Sequence, residues 1–304
     1  MNQIMHSDPI VIVGSVALDT IEVGSVRYTE LLGGAATYAT IAAGRFAKVS
    51  PVGIVGEDFP AQGMNLFKKY SDNLNDLKTI SGATFQWGGR YYESGKERDT
   101  LFTELGVFEK FNPQLSIANR NAPYLFLANI QPRLQLSVIN QMINNPTIVT
   151  DTMNLWINTT HDDLIKVIEK TTILLINESE SQLLTGQEDF KIASQKLLDF
   201  GLKYLVIKRG RAGAILFSEY ETISIDAFMT ETVVDPTGAG DSFGGGFISA
   251  LAEGLSPKDG LIRGTALASA CVEGIGIAGL ESVSPVELIN REHVLRNSVK
   301  PWKD

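Results

Sequence analysis

The stretch that decides the fold is residues 232–247, which read Thr-Val-Val-Asp-Pro-Thr-Gly-Ala-Gly-Asp-Ser-Phe-Gly-Gly-Gly-Phe. A β-prone run enters a turn at Asp235–Pro236, where the proline ring restricts the backbone. Two glycines follow, Gly238 and Gly240, and a helix rich in small residues is predicted from Ser242 to Leu255. Because the N–H groups of such a turn and the positive end of the helix dipole converge, the stretch predicts an anion site.

Asp241 adds a carboxylate to the predicted anion site. It would repel a bound phosphate unless it had a chemical role, and the obvious role is to take the proton from a hydroxyl that attacks a phosphorus atom. The alternative is that Asp235 and Asp241 only cap a helix and that the glycines only shape a turn. We favour the chemical role, because the whole string is more specific than a short glycine turn.

The bulk composition limits the classes of protein and partner. The 304 residues are 44% hydrophobic, which is enough for one large α/β domain or two smaller ones. A net charge of -9, with no run of basic residues, argues against a nucleic-acid partner. Cys271 is the single cysteine, so neither an intramolecular disulfide nor a cysteine zinc cluster is expected. No basic leader or membrane-length apolar run is found, and a cytoplasmic protein is predicted.

Apolar runs alternate with helical segments through most of the chain. Residues 9–14 form a continuous apolar run, as expected of a buried parallel strand, and similar runs recur at 124–128, 147–150 and 173–176. This alternation predicts an α/β fold, with a doubly wound, mostly parallel sheet flanked by helices and residues 1–304 in a single domain. The dinucleotide fingerprint is absent after this first strand, where only Gly14 is present, and the sequence has no Walker A phosphate loop.

Two segments interrupt this alternation. Residues 20–30 read as short strands or a hairpin, and residues 83–105 as two strands joined by a turn at 93–97. Strands that follow each other without an intervening helix break the βαβ pattern, so the segments together predict a small sheet that projects from the main domain. The alternative is an ordinary surface hairpin, although the aromatic residues in 83–105 favour a packed or ligand-facing sheet.

The Thr-Gly-Ala-Gly-Asp core at residues 237–241 resembles the C-terminal signature of the ribokinase-like (PfkB) family of carbohydrate and nucleoside kinases. The resemblance covers residues 10–294 and implies ATP-dependent transfer of the γ-phosphoryl group to a hydroxyl of a sugar or nucleoside. It implies that the small sheet is a lid and that Asp241 is the general base. The amides that it assigns to charge stabilisation are those of Gly238, Ala239 and Gly240.

The same resemblance assigns residues to the acceptor side. Gly33 and Gly34 match a glycine pair that meets the sugar, and the position of a nearby sugar-binding asparagine is held by Thr37 or Tyr38. An amide and a hydroxyl make different hydrogen bonds, so the identity of the acceptor stays open. Asp19 follows the first strand, where a turn or cap residue is the alternative. The full acceptor set is Asp19, Gly33, Gly34, Thr37 and Arg90.

The nucleotide side has its own candidates by resemblance. Asn177 and Glu180 match an Asn-x-x-Glu element in which Glu180 is expected to bind Mg2+ through water, the alternative being an acid in the first turn of a helix. Residues 204–213 resemble a strand and glycine turn along the nucleotide. The helix at 261–274 faces the adenine or, alternatively, only packs closely. The residues assigned to ATP are Asn177, Lys208, Gly210, Gly213, Thr237 and Ala270.

Asp235 and Thr237 match family positions that help to form a monovalent-cation site, usually for K+. The expected cofactors are therefore ATP and Mg2+, with K+ as an optional third. A small sugar or nucleoside is the expected partner, without nucleic acid or membrane, and a homodimer through the lid is a further expectation. The alternative function is a sugar- or nucleoside-binding regulator that has lost catalysis, and the presence of Asp241 argues against it.

Overall fold

The structure is a computed structural model that describes residues 7–91 and 98–303, so the turn predicted at 93–97 lies outside the described residues. The strands are β1 (Ile10–Val13), β2 (Ala17–Val23), β3 (Val26–Gly33), β4 (Val49–Gly56), β5 (Leu77–Ile80), β6 (Phe85–Tyr91), β7 (Arg98–Glu104), β8 (Tyr124–Leu127), β9 (Thr147–Asp151), β10 (Ile173–Asn177), β11 (Tyr204–Lys208), β12 (Ala214–Phe217), β13 (Thr222–Ile225) and β14 (Lys300–Pro301).

The helices are α1 (Ala35–Ala43), α2 (Ala61–Tyr70), α3 (Ile117–Arg120), α4 (Pro132–Ile139), α5 (Asn154–Thr159), α6 (His161–Ile168), α7 (Glu178–Thr185), α8 (Phe190–Leu198), α9 (Ala239–Ala252), α10 (Pro257–Cys271), α11 (Ala278–Ser282) and α12 (Pro285–Ser298). Short 3-10 helices occupy Gly106–Lys110 and Gly210–Ala212.

Ten strands of the described residues form the main sheet, in the order β14-β13-β12-β11-β10-β9-β8-β1-β4-β5. Neighbours from β11 to β5 pair in parallel, whereas β12, β13 and β14 pair antiparallel. The chain starts in the middle with β1, and the strand order reverses between β1 and β8. This confirms the doubly wound, mostly parallel sheet, and a reversal of this kind opens a ligand crevice at the carboxyl ends of the strands.

Strand β1 shows why the sheet is buried on both faces. Its four residues are fully buried, and successive side chains of a strand point to opposite faces. Ile10 and Ile12 pack in one apolar cluster with α1, α9 and α10, while Val11 and Val13 pack in a second cluster with α4. Helices therefore cover both faces, which is the arrangement that continuous apolar strands require.

In the part of the chain that the structure describes, four strands form the second, small sheet, in the order β3-β2-β6-β7. Its central pair, β2 and β6, is parallel, and the two outer pairs are antiparallel. Only three residues separate β1 from β2, which is too short for a crossover helix, so the chain leaves the main sheet at that point. The two interrupting segments of the sequence thus meet in one small sheet, which begins at Ala17, earlier than expected.

Helix α9 begins three residues earlier than the sequence suggested, and the β-prone run before it does not form a strand. The N–H groups of Val234 and Asp235 both donate to the carbonyl of Val272, so the run docks on the end of α10 instead of pairing with a strand. Gly238 therefore becomes the N-cap of α9, and Asp241 becomes its third residue.

The placement of α9 depends on close packing against α1, where a Cβ on Gly245 would collide with the backbone of Ala39. In an unobstructed helix, glycine to alanine stabilises by about 1 kcal/mol. Because the added methyl overpacks this contact, we expect Gly245→Ala to lower the free energy of unfolding by about 1–3 kcal/mol. Urea denaturation followed by circular dichroism measures the change, and a gain in stability would contradict the close packing.

Candidate active site

The Gly-rich turn, residues 237–241, combines a tight bend with backbone donors. Gly238 has a φ of +75°, and a Cβ there would collide with the ring of Tyr38, so glycine is required on both counts. Among the described residues, the N–H groups of Gly238 and Gly240 have no acceptor, whereas that of Ala239 makes a 3.3 Å bond to the carbonyl of Pro236. Such first-turn N–H groups attract anions together with the helix dipole.

A buried ion pair lies against this turn. Lys208, the last residue of β11, donates to both carboxylate oxygens of Asp151, the last residue of β9, at 3.0 and 2.8 Å. A Cβ on Gly240 would lie 3.3 Å from Lys208 Nζ, so the glycine leaves room for the ammonium group. The ends of β9 and β11 and the first turn of α9 thus bring a carboxylate, an ammonium and the Gly-rich turn together.

A capping box at the start of α7 fixes the side chain of Glu180. The Asn177 side chain accepts from the Glu180 N–H at 2.8 Å, and the Glu180 carboxylate accepts from the Asn177 N–H at 2.9 Å. Burial raises the pKa of Glu180 to about 7, an effect that Lys208 opposes and Asp151 reinforces. Burial lowers the pKa of Lys208, but the nearby carboxylates outweigh it and the net shift is upward, so the amine stays charged.

A cavity of about 270 Å³ opens beside the ion pair. It brings four residues that the sequence assigned to ATP together with two residues of the Gly-rich turn. These six are Asn177, Lys208, Gly210, Gly213, Ala239 and Gly240.

Ala270, which the sequence also assigned to ATP, lies elsewhere. Helix α10 contributes Thr265 and Ala268 to the cavity wall, whereas Ala270 is fully buried, with its carbonyl packed against Gly279 of α11. Two helical positions cover about 200°, so residue 270 points away from the face that carries residue 268. The helix does line the cavity, but through a different face.

Asp235 and Thr237 tie the Gly-rich turn to the end of α10. The Asp235 carboxylate is fully buried and accepts from the N–H groups of Thr237 at 2.9 Å and Gly276 at 2.8 Å. Burial raises the pKa of Asp235 in spite of these bonds. The Thr237 carbonyl accepts the S–H of Cys271 at 3.3 Å, and burial raises the pKa of that thiol to about 12, so it stays protonated.

The acceptor candidates of the N-terminal part lie around the start of α1. Asp19 is buried, and a Cβ on Gly33 would collide with its carboxylate, so these two residues are in direct contact. Gly34 is the N-cap of α1 with a φ of +89°. Thr37 donates its hydroxyl proton to the Gly33 carbonyl at 2.5 Å, whereas the buried hydroxyl of Tyr38 has no partner among the described residues.

The small sheet reaches the Gly-rich turn through Tyr91, whose hydroxyl accepts the hydroxyl proton of Thr237 at 2.9 Å. The preceding residue, Arg90, is exposed and pairs with Glu22 on the neighbouring strand β2 at 2.7 Å. Glu22 also pairs with Arg27 on the other side, at 3.3 Å. The hydrogen bond between Tyr91 and Thr237 thus joins the sheet to the turn, and an acceptor contact of Arg90 stays a prediction.

The described ranges, 7–91 and 98–303, contain neither a metal-binding cluster of side chains nor a membrane-spanning helix. No group of three or more His, Cys, Asp or Glu side chains there is arranged to hold a metal ion. No helix in these ranges has both the length and the apolar character that a membrane crossing needs.

Comparison with known proteins decides the family. Residues 8–282 match the family described as pfkB family carbohydrate kinase. The chain belongs to this family. The kinase is 30% identical to the cytidine kinase of Thermococcus kodakarensis, over 81% of this chain and 89% of that protein. The phosphotransferase class that the sequence predicted is confirmed.

Solved structures show the same fold. The ribokinase of Arabidopsis thaliana, complexed with ribose and ATP, has a TM-score of 0.76 and 24% identity, covering 94% of this chain and 99% of that one. A ribokinase II structure from Escherichia coli with ATP and Mg2+ has a TM-score of 0.80 and 20% identity, covering 95% and 99%. Both support the ribokinase-like architecture of this PfkB kinase.

Asp151 is the residue that the sequence interpretation of the kinase missed. It directly follows the apolar run at 147–150, at the carboxyl end of a parallel strand, where ligands of such sheets bind. The same reasoning singled out Asp19 after the first strand and would have found Asp151.

Glu180 makes the stability of the kinase depend on pH. Its folded-state pKa lies above the unfolded value. Between pH 4.5 and about 7, the unfolded state loses the proton while the folded state keeps it, so the stability of the wild type falls as pH rises through this range. Glu180→Gln removes this loss and keeps an acceptor for the capping box. We expect the variant to gain on wild type by up to roughly 3 kcal/mol at pH 8 and much less at pH 5.

Thermal or urea unfolding of both proteins at the two pH values measures this difference. An equal stability gap at pH 5 and pH 8 would show that the buried carboxyl does not titrate between them.

Proposed function

We propose that this PfkB kinase transfers the γ-phosphoryl group of ATP to a hydroxyl of a sugar or nucleoside, with Asp241 as the general base. The observation that carries the proposal is the placement of Asp241 in the first turn of α9, beside two unbonded amides and the Lys208 ammonium at the cavity. An anion hole next to a carboxylate suits a reaction in which a hydroxyl loses its proton as it attacks phosphorus. Gly238, Ala239 and Gly240 form the anion hole, and Ala239 must release its long bond to Pro236 to contribute fully.

The cavity beside the ion pair is the proposed ATP site, with Asn177, Lys208, Gly210 and Gly213 along it. Glu180 suits Mg2+ because this ion keeps several waters and takes one or two carboxylates besides the phosphates. Bound there, Mg2+ would neutralise charge between the β- and γ-phosphates. The Glu180 carboxylate is buried and bonded to Asn177 at the carboxyl end of β10. It is the group that would hold the Mg2+ ion through water.

The acceptor site is proposed between the start of α1 and the small sheet, with Asp19, Gly33, Gly34 and Arg90 around it. Thr37 would act through its bond to the Gly33 carbonyl, since its hydroxyl proton is already used. The similarity to a cytidine kinase favours nucleosides as the first acceptors to test.

Three finer proposals concern ions and assembly. Asp235 and Thr237 are the proposed monovalent-cation positions, supported by a buried carboxylate next to the Gly-rich turn.

The small sheet is proposed as a lid, because Tyr91 already bonds to Thr237. A homodimer through this sheet is supported by its edge strand β3, which exposes Val26 and Tyr28, and light scattering measures it.

A coupled assay of ADP release tests the function across cytidine, other nucleosides, ribose, fructose and inositols. The same series in K+ and in tetramethylammonium buffers tests the monovalent cation. The alternative, a binding protein without catalysis, would show ligand-dependent thermal stabilisation with no ADP release for any acceptor.

The general-base assignment predicts the behaviour of Asp241→Asn. We expect ATP affinity near the wild-type value, or slightly higher because a negative charge is removed. Turnover should fall by roughly 10²–10⁴-fold, the usual effect of losing a general base. Isothermal titration and the ADP-release assay measure the two quantities.

Asp162→Asn is the matched control, since it removes an exposed first-turn carboxylate from α6. The assignment fails if Asp241→Asn retains turnover within a factor of a few of wild type.

The lid proposal predicts that Arg90→Ala raises KM for the acceptor far more than KM for ATP, because it removes binding on one side only. Arg27→Ala is the control, as Arg27 pairs with the same Glu22 from the opposite strand. Steady-state kinetics with the acceptor and with ATP measure the two KM values. An equal effect of the two substitutions on the KM for the acceptor would mean that Arg90 acts only through the surface ion pair.

A further inference from the structure

We propose that Lys208 is a catalytic residue whose ammonium group contacts the transferred phosphoryl group, and that Asp151 is the residue that positions it. The inference rests on the proposed phosphoryl transfer and goes further by giving the ion pair a role in the chemical step. Three features of the ion pair carry this inference, namely its geometry, its unused hydrogen-bonding capacity and its charge.

The geometry places the ammonium against the Gly-rich turn. Lys208 Nζ lies 3.3 Å from the position that a Cβ on Gly240 would take, and Asp151 Oδ2 lies 3.8 Å from the same point. Gly240 precedes Asp241, so the ammonium abuts the turn that carries the proposed base and anion hole. A lysine that only held distant parts of ATP would not need to reach this turn.

The ammonium also has donor capacity to spare. It carries three N–H bonds, and its hydrogen bonds to described residues go only to the two oxygens of Asp151. The Asp151 carboxylate in turn accepts from the N–H of Thr152 at 2.9 Å, which fixes its orientation. One N–H of Lys208 is therefore left for an acceptor that enters the cavity, such as a phosphoryl oxygen.

The charges favour a role beyond support of the fold. The side chains of Lys208 and Asp151 are 17% and 6% exposed, and a buried ion pair is a weak source of stability because both ions lose hydration. Three carboxylates act on the ammonium, Asp151, Glu180 and Asp241, and they keep it protonated. A lysine that stays protonated cannot serve as a base, but it can stabilise negative charge that develops beside it.

In the proposed step, the acceptor oxygen forms a bond to the γ-phosphorus while the bond from that phosphorus to the bridging oxygen of ADP breaks. The acceptor proton passes to Asp241, and ADP leaves with the electron pair of the broken bond. Lys208 keeps its protons throughout and balances charge on the γ-phosphoryl oxygens. Asp151 holds the ammonium in place and does not touch the substrate.

The test uses the double variant Lys208→Met/Asp151→Asn. The single variant Lys208→Met leaves a buried, unpaired carboxylate and is prone to misfold, whereas the double variant removes both charges together. The control is Lys166→Met/Asp163→Asn, which removes an exposed ion pair from α6. Binding of Mg-ADP and of the non-hydrolysable Mg-AMP-PNP is measured by titration calorimetry, and turnover by ADP release.

A contact to the γ-phosphoryl group predicts unequal losses. We expect AMP-PNP binding to weaken by about 10-fold or more and ADP binding by less than about 3-fold, with kcat lower by roughly 10²-fold, the usual effect of one lost charge-stabilising donor. Asp151→Asn alone should lower kcat and leave the KM of the acceptor unchanged, because it acts only through Lys208.

Equal losses of ADP and AMP-PNP binding, or a kcat within about 3-fold of wild type, would overturn the role of Lys208. Loss of folding in the double variant, with the control intact, would also overturn it and make the pair structural. A wild-type protein that releases no ADP and binds no AMP-PNP would instead remove the proposed kinase reaction itself, and the role of Lys208 with it.

Discussion

Helix α9 is held by three consecutive glycines, residues 244–246, that leave no side chain between it and its neighbours. Cβ atoms at these positions would collide with Phe126 of β8, Ala39 of α1 and Leu267 of α10, respectively. Packing at this density transmits position rigidly, since no element can shift without displacing another. The first turn of α9, with its amides and Asp241, is therefore fixed before any ligand arrives, as electrostatic stabilisation of a reaction requires.

The proposed site holds a cation, Lys208, in a protein whose net charge is negative. The protein carries a net charge of -9, yet its proposed substrate is a polyanion. Overall charge has little influence at the site, because a charge in direct contact with a ligand acts much more strongly than distant surface charges that water and salt screen. Lys208 supplies that local cation, and Asp151 compensates it when the cavity holds no phosphate.

Thr237 connects the Gly-rich turn to three other parts of the molecule. Its N–H bonds to Asp235, its carbonyl accepts from Cys271 on α10, and its hydroxyl bonds to Tyr91 on the small sheet. A displacement of the small sheet would break the last of these bonds and leave the other two intact. The sheet over the proposed acceptor site and the proposed anion hole thus share one residue, which gives movement of the sheet a direct physical path to the turn.

The sequence by itself determined the features that depend on local backbone chemistry and on periodicity. The alternation of apolar runs predicted the main sheet, and the glycines before Asp241 predicted a tight turn at the start of a helix, because φ angles and helix ends are set by neighbouring residues. Tertiary structure alone decided which distant residues meet. The strand order brings Asp151 to Lys208 across 57 residues of chain.

Packing also chose the face and the start of the helices around the site. Ala270 and Ala268 are the same residue type, and only the packing of α10 against its neighbours decides that Ala268 lines the cavity while Ala270 is buried. Likewise, residues 232–234 have the composition of a strand, but the carbonyl of Val272 takes up two N–H groups at its end and allows α9 to begin at Ala239. Packing and hydrogen bonds between segments far apart in the chain leave no periodic signal in the sequence. The face of α10 and the start of α9 could therefore be read only from the folded structure.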